Sequence, residues 1–320
     1  MQSRGDGRMR GNMSKTAFIF PGQGAQYVGM GKDFYDTYET ARKVFELAKE
    51  ATGLDVAEIC FTENERLNIT EYTQIAMLTT EVAILKVLEE QGFTADCCAG
   101  LSLGEYGALA AADVMELKDL FRLIRSRGIF MQEAYPTGGA MTAVLGLDAE
   151  TIAKVCEETE GIVSIANDNC PGQIVITGEA EAVGKAAEKL TAAGAKRCVP
   201  LKVSGPFHSK LLEGAGEKLA AELKSVTVKN PKIPYYCNVE AAPVTENTRV
   251  KELLAKQVSG TVRWRETMNL MIESGVDTFI EIGPGKTLAG FLRKISRDVT
   301  VKNVETVENL KALSEEKAEQ

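Results

Sequence analysis

Histidine is almost missing from this sequence: 320 residues hold one, His208. That count excludes a histidine-rich metal centre and any mechanism that needs two imidazoles. Cysteine is present seven times, an odd number, scattered mostly inside apolar runs such as Cys97-Cys98. With neither a CxxC nor a Cys/His metal spacing, these read as reduced core thiols of a cytoplasmic protein. No stretch approaches the roughly 18 to 20 uninterrupted apolar residues that cross a bilayer, so no membrane role is expected. Positive charge is in deficit as well. A formal net charge of −8 argues against general nucleic-acid binding, which needs a basic footprint to release counterions from phosphate. Any acidic partner must therefore meet a local basic patch.

What is present suits a soluble enzyme, with 44% hydrophobic and 26% charged residues, enough for a large core and two compact units. Residues 1–12 are basic and Gly-rich without an apolar h-region, and are expected to be a disordered tag or leader outside the fold. From Thr16 onward, short apolar runs alternate with amphipathic stretches, the pattern of an α/β domain on a mostly parallel sheet. Strands are expected over 16–20, 95–99 and 278–282. Helices are expected over 33–51, 73–91, 105–112, 117–133, 210–223, 250–258 and 264–274, with a solvated helix in the Glu/Lys-rich tail after Val304. Between Ala140 and Val203 the order becomes strand, helix, strand, strand, helix, strand, a ferredoxin-like βαββαβ unit. The expected division is a large domain from 13–137 and 204–320 and a small insert at 138–203. Pro136 to Gly139 and Ser204 to Pro206 are its hinges.

The strongest local signal is Gly100-Leu101-Ser102-Leu103-Gly104, a GxSxG placed after a predicted buried strand and before an Ala-rich helix. This is the context of a nucleophile elbow, although a plain tight turn would read the same way. A serine needs a base, and His208 in Gly205-Pro206-Phe207-His208-Ser209 is the sole imidazole to supply it; otherwise it is a satisfied core or surface histidine. One group titrating near the usual 6.5, give or take a unit, is then expected to govern the acidic limb of activity. Phe20-Pro21-Gly22-Gln23-Gly24-Ala25-Gln26 lacks the Lys-Ser/Thr of a Walker loop and the spacing of a dinucleotide fingerprint. It fits better as a loop whose Gln23 amide joins that of Leu103 in an oxyanion hole. On the helix over 117–133, Arg122 faces water, Arg125 lies at the margin, and Arg127 falls beside the apolar stripe. An arginine there needs an anion, either an internal carboxylate or a substrate one.

Several separated motifs agree at once: FPGQGAQ at 20–26, GLSLGEY at 100–106, RGIFMQEA at 127–134, the Asn167 to Gly172 turn, GPFHS at 205–209, QVSGTVRW at 257–264 and IEIGPGKTL at 280–288. Together they resemble the malonyl-CoA:acyl-carrier-protein transacylases of fatty-acid synthesis over about Lys15 to Ile295. The resemblance implies a large α/β-hydrolase-like domain with a ferredoxin-like insert. It implies malonylation of Ser102, His208 as base and then acid, and Arg127 on the malonyl carboxylate. It also implies oxyanion donors at Gln23 and Leu103, and a backbone carbonyl of Gln257 in place of a triad acid. The substrates implied are malonyl-CoA and the phosphopantetheine arm of acyl carrier protein, with no permanently bound cofactor and no metal. Phe207 is the residue type of malonyl-selective members. Leu101 departs from the many relatives with histidine before the serine. Rival readings are a serine hydrolase or thioesterase, a trans-acting polyketide-synthase acyltransferase, and a non-catalytic carrier-binding module.

Overall fold

The structure, a computed structural model, describes residues 14–203 and 205–319. The expectation for residues 1–12 lies outside them, as does Ser204 of the second hinge. The chain begins with β1 (Lys15–Phe20), α1 (Lys32–Thr37), α2 (Glu39–Thr52), α3 (Val56–Phe61), α4 (Thr70–Glu90), β2 (Cys97–Gly100), α5 (Glu105–Ala111) and α6 (Leu117–Ala134). The one helix expected over 33–51 is thus two. Tyr38 becomes extended and donates its amide to Phe34 O, closing α1. The buried stripe of Phe34, Ala41, Val44, Phe45 and Ala48 runs across this break, so periodicity alone does not reveal it.

The middle of the chain holds β3 (Gly139–Leu145), α7 (Ala149–Glu157), β4 (Val163–Cys170), β5 (Gln173–Glu179), α8 (Ala180–Ala192) and β6 (Arg197–Pro200). Asp148 caps α7 by accepting from the Thr151 amide, as its side chain favours. The remainder is α9 (Glu213–Leu223), preceded by a 3-10 turn over Lys210–Leu212, then β7 (Tyr235–Cys237), β8 (Ala242–Val244), α10 (Val250–Gln257), α11 (Trp264–Glu273), β9 (Val276–Ile282), α12 (Thr287–Ile295), β10 (Thr300–Val304) and α13 (Val307–Ala318). Strands β7, β8 and β10 had no sequence signal strong enough to place them.

Two sheets organise these elements. The larger has the order β10-β9-β1-β2-β7-β8 and is parallel except for the antiparallel pair β7/β8. It is covered on both faces: Ala17 and Ile19 of β1 turn toward Trp264 and Phe279, while Phe18 and Phe20 turn toward the core around α4. Helix α4 is buried on nearly every side, hence its lack of an amphipathic stripe. Chain order reverses at β1, which has β2 on one side and β9 on the other. In open α/β sheets a crevice forms beyond the strand ends at such a point.

The smaller sheet has the order β4-β5-β3-β6 with every pairing antiparallel, the ferredoxin-like arrangement. Val144, Ile174 and Ile176 pack on Ile152, Val183 and Leu190 of its helices. The opposite face, with Met141, Ala143 and Val175, joins the core of the larger sheet. Its β4 is also tied to the segment after α10, where Val262 donates to Ala166 O and accepts from the Asp168 amide. An Arg265–Asp168 ion pair at 2.7 Å reinforces this seam.

Candidate active site

The crevice at the strand ends collects one loop from each of β1, β2 and β7. Ser102 follows β2 on a 3-10 turn over Ser102–Gly104 that leads into α5. Its two glycines are sterically required: a Cβ on Gly100 would stand 1.8 Å from Gly104 O, and one on Gly104 would stand 2.2 Å from Phe20 O. Ser102 itself takes φ 55°, a left-handed conformation that costs a non-glycine residue about 1 to 3 kcal/mol. Two side chains hold it there. Its amide donates to Asn238 Oδ1 at 2.7 Å, and its carbonyl accepts from Gln257 Nε2 at 2.8 Å.

Ser102 Oγ lies 2.7 Å from His208 Nε2. His208 Nδ1 lies 2.9 Å from Gln257 O and 3.1 Å from Gly260 O. Carbonyl oxygens only accept, so Nδ1 carries the hydrogen and Nε2 keeps its lone pair for the serine hydroxyl. No carboxylate occupies the third place of a triad. His208 is buried, and burial first, then the Arg127 charge, lower its pKa to about 4 against the raising pull of the two carbonyls. The expectation of a group near 6.5 is therefore corrected downward. The physical cause is desolvation, which a sequence does not display.

Arg127 is 1% exposed. Its Nη1 donates to Gln74 Oε1 at 2.6 Å, and its Nη2 to Gln257 Oε1 at 3.0 Å and Ser102 Oγ at 3.3 Å. The guanidinium lies 5.5 Å from the Tyr106 ring centroid, and Nε has no hydrogen-bond partner. Of the two anions the sequence allowed, an internal carboxylate forms no ion pair with it among the described residues. Arg125, two residues earlier, pairs with Glu71 at 2.7 Å and stacks on Tyr72. Arg122 sits at the surface beside Asp119.

In front of Ser102 is a cavity of about 250 Å³. Gln23, Leu101, Leu103, Phe207 and His208 line it from the larger sheet's side, with Met141 and Val175 opposite. Arg127 stands behind this lining and reaches it through Ser102 Oγ. Gln23 is anchored by Nε2 donating to Thr70 Oγ1 at 3.1 Å. Leu101 lies against Gly22, where a Cβ would come within 2.9 Å of Leu101 Cδ2. An apolar side chain thus backs the loop that carries Gln23.

Comparison with known proteins decides the family. A profile described as acyl transferase domain matches residues 17–317. The malonyl CoA-acyl carrier protein transacylase of Bacillus subtilis (strain 168) is 45% identical over 304 residues, 92% of this chain and 96% of that protein. The protein of the same name from Staphylococcus aureus (strain MSSA476) is 41% identical over 308 residues, 95% and 99% of the two chains. The crystal structure of the Clostridium perfringens transacylase superposes with TM-score 0.92 at 44% identity, covering 96% of this chain and 98% of that one. This chain belongs to the malonyl CoA-acyl carrier protein transacylases of the acyl transferase family.

Three residues of this acyltransferase site carry contacts that sequence reasoning missed. Gln74 lies on α4, in a stretch buried all round, and a lone amide within an apolar helix is the only hint of it. Asn238 follows the three-residue strand β7, too short to recognise, and clamps the Ser102 amide. Glu105, inside the GLSLGEY motif, is 0% exposed. Burial raises its pKa to about 7, against the lowering pull of the Asn238 amide, Gln257 and Arg127. Among the described residues no helix of this acyltransferase is long and apolar enough to cross a membrane.

Proposed function

We propose that this acyltransferase moves the malonyl group of malonyl-CoA to the phosphopantetheine thiol of acyl carrier protein by way of a malonyl ester on Ser102. The observation that carries the reading is Arg127, a buried cation with no carboxylate partner among the described residues, its Nη2 3.3 Å from Ser102 Oγ. Burying a guanidinium without an ion partner is costly, and an incoming carboxylate removes that cost. A malonyl thioester brings one to the site. The transacylase names of the relatives support the same reading. So does a similar structure, TM-score 0.92 at 39% identity over 95% of this chain and 100% of that chain, of a type II polyketide-synthase acyl-carrier protein in complex with its malonyl-transacylase.

In the first half-reaction Ser102 Oγ attacks the thioester carbonyl while His208 Nε2 takes its proton. The amides of Gln23 and Leu103 donate to the oxyanion. The intermediate collapses, the carbon–sulfur bond breaks, and the coenzyme A sulfur takes the proton from His208. The second half-reaction runs in reverse: the phosphopantetheine thiol gives its proton to His208 and attacks the malonyl ester, and Ser102 leaves with the proton. The Gln257 carbonyl keeps the imidazole in the tautomer this needs. Phe207 limits the room beside the α-carbon and disfavours a methyl branch.

Residues 13–137 and 204–320 act here as the large domain, with 138–203 as the small one over the cleft. A cytoplasmic setting fits seven free cysteines, six of them buried. Intact-protein mass spectrometry tests the reading. Malonyl-CoA should add one malonyl group to Ser102, and phosphopantetheinylated carrier protein should remove it and gain it. Release as free malonate at the same rate with or without carrier protein would instead identify a hydrolase.

A further inference from the structure

Gln257 makes five polar contacts at the site, and one of them is to a residue that the reaction scheme leaves idle. Its backbone carbonyl orients His208, and its side-chain Oε1 accepts from Arg127. Its Nε2 donates to Ser102 O at 2.8 Å and to Glu105 Oε2 at 2.8 Å. Nε2 also lies 3.3 Å from Asn238 Oδ1. An amide rotated by 180° would aim Nε2 at a guanidinium and Oε1 at three acceptors, and of those acceptors Glu105 Oε2 is the one that bears a carboxylate. The same Glu105 oxygen accepts from the Asn238 amide at 3.1 Å, and Asn238 Oδ1 holds the Ser102 amide. Glu105 therefore joins both clamps on the strained Ser102 backbone and, through Gln257, the grip on Arg127. It does so from a fully buried position, with its second oxygen, Oε1, left without a partner.

We propose that Glu105 is a positioning residue for substrate selection: it sets the amide orientation of Gln257 and the place of Asn238, and so aligns Arg127 with Ser102 for an acyl group that carries a carboxylate. The proposal rests on the malonyl-transfer reading above. It does not make Glu105 a proton carrier, since its nearest partners are two N–H donors and it touches no reacting atom.

The geometry separates the available substitutions. In Glu105→Gln the amide oxygen can still accept from Gln257 and Asn238, and the new NH2 takes the place of the partnerless oxygen. In Glu105→Ala both bonds are gone, and Gln257 keeps only Ser102 O, Asn238 Oδ1 and Arg127 to hold its amide. Acylation of Ser102 by malonyl-CoA and by acetyl-CoA is measured for both variants in the full chain, alone and with Gln257→Ala, together with labelling by a serine-directed fluorophosphonate. Gln257→Ala keeps the backbone carbonyl on His208 and removes only the side chain.

Glu105→Ala should slow malonylation about 10- to 100-fold, the loss expected from two hydrogen bonds of ordinary strength. It should lower the malonyl-to-acetyl ratio at least about tenfold. Glu105→Gln should recover to within a few-fold, and the alanine effect should largely vanish in Gln257→Ala, because the two residues act as one unit. An unchanged malonyl-to-acetyl ratio in Glu105→Ala, or an effect that simply adds to that of Gln257→Ala, overturns the proposal. If Glu105→Ala does not fold, Glu105→Asp, which withdraws the carboxylate by one methylene, must show the same loss of ratio. Wild type that reacts with the fluorophosphonate yet takes no malonyl refutes the malonyl reading. In that event Glu105→Ala must still slow the fluorophosphonate reaction, through the loosened Ser102 backbone, for Glu105 to keep a positioning role.

Discussion

The two walls of the cleft are built on opposite plans. The wall from the larger sheet sets Ser102, His208 and Gln23 among apolar side chains such as Leu101, Leu103 and Phe207 and is backed by a strained, closely hydrogen-bonded polar layer: Ser102 and His208 both hold positive φ (55° and 59°), and Arg127, Gln257, Asn238 and Glu105 interlock behind them. The wall from the smaller sheet offers mostly apolar side chains, Met141, Val175, Leu201 and Val203, with Asn167 and Asn169 between them. Parallel strands end at one edge of their sheet, so the loops beyond them converge and can bring separate backbone segments to one point. An antiparallel sheet laid flat over the crevice presents a face instead, which shapes and covers but does not converge. In the reading proposed above, chemistry belongs to the first wall and enclosure to the second.

Losing the nucleophile breaks the comparison most severely. Ser102→Ala should cost on the order of a millionfold in transfer rate, as for other activated serines, and mass spectrometry should find no malonyl adduct. Arg127→Ala comes next. Removing one partner of a desolvated charge pair costs about 2 to 5 kcal/mol, so the specificity constant for malonyl-CoA should fall roughly thirty- to several-thousandfold while acetyl transfer falls far less. Arg127→Lys should stay impaired, because an ammonium cannot grip two carboxylate oxygens in one plane. Arg125→Ala is the control on the same helix. It breaks a partly exposed pair worth about 1 kcal/mol or less and should leave the malonyl-to-acetyl ratio unchanged.

The pH profile sharpens the comparison at smaller scale. His208 works as a base only when deprotonated. With its pKa lowered to about 4, Ser102 labelling by an uncharged fluorophosphonate should hold steady as pH falls through 6.5 and decline only toward pH 4. Glu105→Gln is the control, since it removes the buried carboxyl that titrates near 7. A decline centred at 6.5 in both proteins would show that the imidazole is solvated in solution. The smallest effect is expected on the exposed basic residues of the two domains proposed above. Lys196, Arg197 and Lys202 are exposed on and beside β6, and Arg293, Lys294 and Arg297 on and after α12. Charge reversal at either group should raise the Michaelis constant for an acidic carrier protein by a few-fold, chiefly through slower encounter, with malonylation of Ser102 by malonyl-CoA unaltered.

Much of this was legible because the signals are local. The elbow is readable since its two glycines are needed within five residues of chain, and the βαββαβ unit since each helix and strand repeats its own period. Helix α6 shows its buried face in its own residues, so Arg127 could be set inside and Arg122 outside. The halves that failed are non-local. Strand β7 is three residues long and exists because β2 pairs with it. The break at Tyr38 leaves the apolar stripe intact.

By itself the sequence determined most of the order of elements, the GxSxG serine, the single histidine and the arginine on the buried side of its helix, since each follows from residue type, spacing or a count of one. Only the tertiary structure decided what those residues are chemically. The tautomer of His208 comes from carbonyls 49 and 52 residues away. Its lowered pKa comes from burial and from a guanidinium on helix α6. That Arg127 has no ion pair among the described residues comes from Gln74 and Gln257, not carboxylates, being brought beside it. Hydrogen bonds and desolvation act over a few ångströms of space, and the chain distances they span carry no trace in local pattern.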